Sequence, residues 1–398
     1  MQVRNYISLT VLIGLLGMQP TQAQELQPVV VDRNISPTAP NPSPVLPLGS
    51  SSAQVPGGLA PIKVGEQYGY IDPLGQYVAS PRFLEAGPFV EGLAAVKVST
   101  RYGYLDAKGR MAIPPQFDAA DRFSEGLAAV KVGTLYGYID PKGNFVINPQ
   151  FDEALAFYDG LARVRIANRW GYVNPQGQYV VNPQFAEVRN FQGGLAAVRF
   201  QQRQWGYINK AGKTIISPQF DDAADFVEGL ARVKNGTQYG FIAMTGEYIV
   251  KPAFDGAADF IEGVALVKLG GGYGFIDRTG NFVIRPEFNQ ADSFHEELAR
   301  VKVGKRWGYI DRKGQYAVNL QFDDASNFLD GLALVRIGNR FGYVNPEGRY
   351  LINPQFDEAL VFSKGLAAVR LGKQWGYINR DGKVVISPQF DGAADFSQ

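Results

Sequence analysis

Ten glycines, Gly69, Gly103, Gly137, Gly171, Gly206, Gly240, Gly274, Gly308, Gly342 and Gly376, each stand between two aromatic residues and recur every 34 residues, with one step of 35. A period of that length marks a repeat array, in which units bury their apolar faces against one another and chain length counts units rather than domains. One copy, over residues 126–159, reads GLAAVKVGTLYGYIDPKGNFVINPQFDEALAFYD, and nine variants of it account for the rest of residues 58–398.

Within that copy, apolar alternation over residues 127–132 predicts an opening strand, and the aromatic-Gly-aromatic segment 136–140 a middle strand. Asp140-Pro141-Lys142-Gly143 suits a type I turn followed by a residue at positive φ, and the Gly of this turn is present in all ten units, from Gly75 to Gly382. A closing strand at 145–147 is expected to stop at Pro149. The tail that follows has Phe at its first and seventh positions with small residues between, a spacing that predicts a helical or 3₁₀ turn. Those two positions are Phe in every unit and take 20 of the 26 phenylalanines, so they are assigned to the core between units.

The aromatic-Gly pair in tandem units of this length resembles the bacterial WG-repeat family. The literal pair occurs at Trp170-Gly171, Trp205-Gly206, Trp307-Gly308 and Trp375-Gly376, with Tyr or Phe in the other six units. The resemblance implies an all-β repeat array and no particular activity. A lone 34-residue meander buries too little apolar surface to stand alone, so neighbours must complete it. Two arrays satisfy that requirement, an open curved superhelix or solenoid and a closed propeller-like toroid. Propeller blades usually have four strands and about 40 residues. Three strands per 34-residue unit, with no strand held back to clasp a ring, therefore favour the open form.

Residues 1–23 read as a signal peptide: Arg4, an apolar run over 6–17 too short to span a bilayer, and small residues before a cleavage point after Ala23. Residues 24–57 contain seven prolines and no aromatic residue, the composition of a disordered linker. The expectation is an exported protein, periplasmic or extracellular, with no membrane span.

Charge is nearly balanced, 39 basic against 38 acidic residues, which gives no reason to expect nucleic acid as a partner. The absence of Cys and the single His remove thiol chemistry, disulfides and multi-histidine zinc sites. No metal, cofactor or catalytic residue is assigned. The acids fall into columns, such as the Asp after the first tail Phe, and no pair stands out from the period as a glycosidase pair should. His295 replaces an ordinary tail residue, and Glu297 displaces the usual Gly.

Two features could bind. The turns between opening and middle strands share one rim and carry Arg101, Arg169, Arg203, Lys305, Arg306, Arg340 and Lys373 against one acid, Glu66. The column before the repeated Gly holds Trp170, Trp205, Trp307 and Trp375, either packed under the next unit or presented as platforms for sugars or peptide side chains. A basic residue ends every opening strand, from Lys63 to Arg370, which suits cross-strand ion pairs and cation–π contacts better than a ladder for a polyanion. These features favour a non-enzymatic scaffold for a protein, peptide or polysaccharide partner, with an envelope glycan hydrolase or a structural spacer as the alternatives.

Overall fold

The computed structural model describes residues 58–201 and 203–397; the signal peptide and linker expected over residues 1–57 lie outside the described residues. The repeats form ten antiparallel four-stranded sheets rather than three-stranded ones. In the blade built on the copy above, the closing strand Phe145–Phe151 pairs with the middle strand Leu135–Ile139, and that with the opening strand Ala128–Val132. The fourth strand, Ala119–Ala120, is lent by the tail of the preceding unit.

The tail is therefore a strand, not a helical turn. It lies against the next opening strand and reverses into it through two residues at positive φ, Glu125 (53°) and Gly126 (78°), as a tight type I′ hairpin requires. Ser124 and Leu127 exchange backbone hydrogen bonds across that turn. The hairpin fixes both Phe columns. Phe151 and Phe157 are buried with Tyr138 and Ile147 of one blade against Ala162, Val164 and Val173 of the next, and all 20 column phenylalanines are buried in the same way.

Because every tail serves the next unit, the last serves the first. Gly392–Ala393 pairs with Ala60–Val64, matching Ile62 with Ala393 and Lys63 with Gly392, and Leu59 bridges to Ser397. The array is a closed ten-bladed β-propeller, and the open solenoid is wrong. The reason lies in the tail: taken as helical it leaves three strands and no clasp, whereas as a strand it supplies both the fourth strand and the closure with whole units.

The repeated Gly is required by the closing strand, which crosses directly over it. A Cβ on Gly137 would lie 2.5 Å from the Ile147 carbonyl oxygen and 2.7 Å from Pro149 N. The turn after the middle strand is as the sequence predicts: Gly143 has φ 85°, and Asp140 Oδ1 accepts from the N–H groups of Lys142 and Asn144 at 2.9 Å each. The Asp or Asn ending nine of the ten middle strands thus accepts from the turn rather than pairing with the cation that ends the opening strand.

Candidate functional site

The turns between opening and middle strands all lie on one end of the ring, and so does the Asp column that follows the first tail Phe. These carboxylates cap the turns: Asp118 accepts from Gly133 N at 2.7 Å, Asp323 from Gly338 N at 2.6 Å and Asp357 from Gly372 N at 2.7 Å. The free oxygen of each of the three holds a rim arginine. Arg101 meets Asp118, Arg306 meets Asp323 and Arg340 meets Asp357, each at 2.6 Å. One carboxylate thus joins an arginine of one blade to the turn of the next.

Arg169, Arg203, Lys305 and Lys373 have no ion pair among the described residues. For Arg169 the cause is visible in the sequence. The residue in the capping column that should face it is Ala186, and the turn this residue should cap, around Phe200–Arg203, is the one lengthened by the single 35-residue step. Arg169 and Arg203 therefore border the same interruption of the acid column.

The basic residues ending the opening strands engage rings and carboxylates. Lys97 sits 5.2 Å from the Tyr102 ring and 2.7 Å from Glu85, and that hydrogen bond holds the Glu85 carboxyl below its usual range. Arg165, Arg199 and Arg370 pair likewise with Glu153, Glu187 and Glu358.

The four tryptophans are not equivalent. Trp205 and Trp307 are only 5% and 7% exposed, and their faces are covered by the guanidinium groups of Arg189 and Arg300 at 5.1 and 4.6 Å. Trp170 and Trp375 are half-buried and pack against the cores beside them. A row of four open platforms is not formed.

Sequence reasoning missed a seam of charge along the tail edge. There Cα atoms of the extended tail strands Asp222–Val227 and Gly256–Ile261, which belong to neighbouring blades, approach within 8 Å of one another. Arg163 donates to the Val188 carbonyl at 3.2 Å, Arg189 meets Asp222 at 3.1 Å, and Arg232 meets Asp259 at 3.2 Å. Asp225 lies in this seam, and burial raises its carboxyl pKa against the pull of Arg189 and Arg163. The signal was present: Arg163, Arg232 and Arg300 occupy an opening-strand position that is Ala in four units. The His295 ring makes a local contact, Nδ1 to the Ser293 carbonyl oxygen at 3.0 Å. No group of three or more His, Asp and Glu among the described residues could hold a metal, and no described helix is long and apolar enough to cross a membrane.

No curated protein matches the chain. Among solved structures, a eukaryotic initiation factor aligns at 11% identity, over 76% of this chain and 97% of that one, with a TM-score of 0.50. BamB from Moraxella catarrhalis aligns at 12% identity over 66% and 91%, with a TM-score of 0.37. At these identities the likeness concerns the fold alone. The model of the WG containing repeat matches ten times, from residues 68–99 to 375–398, once per repeated aromatic-Gly pair. With its ten aromatic-Gly units closed into a propeller, the chain belongs to the WG containing repeat family.

Proposed function

We propose that the protein is an exported, non-enzymatic propeller scaffold that binds an anionic protein, peptide or polysaccharide partner on the face carrying the turns between opening and middle strands. The observation that carries this reading is the interruption of the acid column at Ala186. Elsewhere Asp neutralises the rim arginines, and here Arg169 and Arg203 are left without that partner. The same capping roles occupy the Asp columns with folding, which speaks against a glycan hydrolase. Export rests on residues 1–23, and the mature chain should begin at Gln24.

Binding of the mature chain to immobilised polyglutamate and to polygalacturonate, followed against salt, tests the reading. The expected result is binding that falls steeply as the screening length shrinks to about 10 Å at 0.1 M salt. Arg169→Gln with Arg203→Gln should reduce it about tenfold or more, and Ala186→Asp, which restores the missing carboxylate, should weaken it as well. Arg306→Gln with Arg340→Gln should change it by less than about threefold, because those guanidinium groups are already paired. Equal loss in both pairs of variants, or none in either, sinks the proposal.

A further inference from the structure

We propose that a groove on the seventh blade, the one opened by Val264–Leu269, receives a glutamate side chain of a partner peptide, its carboxylate standing where the second blade's own Glu85 stands. In the second blade Glu85 lies opposite Lys97 and Lys97 opposite Tyr102. The Lys97 ammonium sits 5.2 Å from the ring and donates to Glu85 Oε1 at 2.7 Å, while the Tyr102 hydroxyl donates to Oε2 at 2.5 Å. In the seventh blade Lys268 lies opposite Tyr273 in the same register, with its ammonium again 5.2 Å from the ring, but the residue opposite it is Gly256. The carboxylate of the triad is missing and both of its donors remain.

The space is open. Gly256, Ala257, Ala258 and Leu266, with Lys268 and Tyr273, line a groove of about 220 Å³, room for one side chain. Lys268 has no ion pair among the described residues. The first blade also has Gly392 opposite its cation, but there Lys63 reaches Glu66 at 3.8 Å. The third blade fills the position with the Ala119 methyl. A charge-assisted pair of donors recognises a carboxylate, and the methyl-lined floor suits the two methylenes of a glutamate. Sugar hydroxyls on that floor would lose water without gaining partners, which disfavours a uronic acid.

The inference rests on the reading of the ring as a binding scaffold, but not on the Arg169 and Arg203 rim. Titration calorimetry of the full mature chain with acetyl-Ala-Glu-Ala-amide, its Gln counterpart and glucuronate tests it. The Glu peptide should bind at least tenfold more tightly than the other two. Lys268→Gln should weaken it about tenfold, and Gly256→Glu should abolish binding by supplying the carboxylate from within. Gly256→Glu should also fold: its Cβ meets nothing nearer than Lys268 Cβ at 3.4 Å, and its backbone lies outside the left-handed region. The rim variants should leave peptide binding unchanged, so failure of either site shows separately. Unchanged affinity in Gly256→Glu, equal affinity for the Gln peptide or glucuronate, or no binding up to about 10 mM peptide overturns the proposal.

Discussion

Eight tyrosines one residue beyond the repeated Gly show how a single side chain ties two blades together. Tyr138 is fully buried, packs edge-on against Phe157 at 4.9 Å, and donates its hydroxyl to the Leu155 carbonyl at 2.7 Å, fixing the tail that forms the next blade's edge. Tyr70, Tyr104, Tyr172, Tyr207, Tyr309, Tyr343 and Tyr377 repeat that bond, while Phe241 and Phe275 stand in the remaining two units. Tyr138→Phe should therefore cost only about 1 kcal/mol, the net worth of one hydrogen bond, in a denaturant titration. All eight hydroxyls are pushed well above the ordinary tyrosine range by burial. The fold thus favours the protonated phenols. Their contribution is fully present below the unfolded pKa of about 10 and is lost as pH rises above it. Tyrosinate absorbance from these rings should appear together with loss of the β circular dichroism signal; ionisation of the full set in an intact fold would contradict the assignment. The burial of the Phe columns was legible in the sequence, because uniform Phe at two positions has no role other than packing. The capping duty of Asp118, Asp323 and Asp357 was not. A carboxylate column looks the same whether it neutralises a cation or accepts a turn N–H, and only the return of the tail beside the next turn decides between them.

At the scale of the element, the closing strand is held where it is by the absence of a side chain beneath it. Gly137→Ala would place a methyl inside the Ile147 and Pro149 backbone, so the strand and its tail would have to move. The expected cost is at least about 3 kcal/mol. Gly133→Ala, in a turn with φ 63° and nothing within 4 Å of the new methyl, should cost only about 1 kcal/mol. Thermal unfolding of the two variants checks the ranking, and the opposite order would mean that the closing strand does not cross Gly137. The opening strand, the middle strand and the Asp-Pro-Lys-Gly turn that follows it could be read because alternation and turn chemistry act locally. The tail strand could not. Glu153–Ala154 offers two residues of alternation, too few to outweigh the apparent helical spacing between Phe151 and Phe157, and its pairing partner lies in the following unit.

For the whole molecule, closure follows from lending each tail forward, so ten like units make a ring without a dedicated clasp. The ends meet through Asp391 N donating to Lys63 O at 2.9 Å, Gly65 N donating to Asp391 Oδ2 at 2.7 Å, and the mutual bonds of Leu59 and Ser397. The chain has no cysteine, which makes the contact directly testable. Lys63 and Gly392 are paired in register from opposite ends of the array, and a Cβ on Gly392 would lie 3.2 Å from that of Lys63. This is close to the separation of about 3.5–4.5 Å between the Cβ atoms of a disulfide. In the Lys63→Cys, Gly392→Cys double variant, mild oxidation at low protein concentration should form an intramolecular disulfide, seen as a reducible mobility shift on a denaturing gel with no dimer. Free thiols that persist, or only intermolecular crosslinks, in a variant that retains its β circular dichroism spectrum would contradict the closed ring.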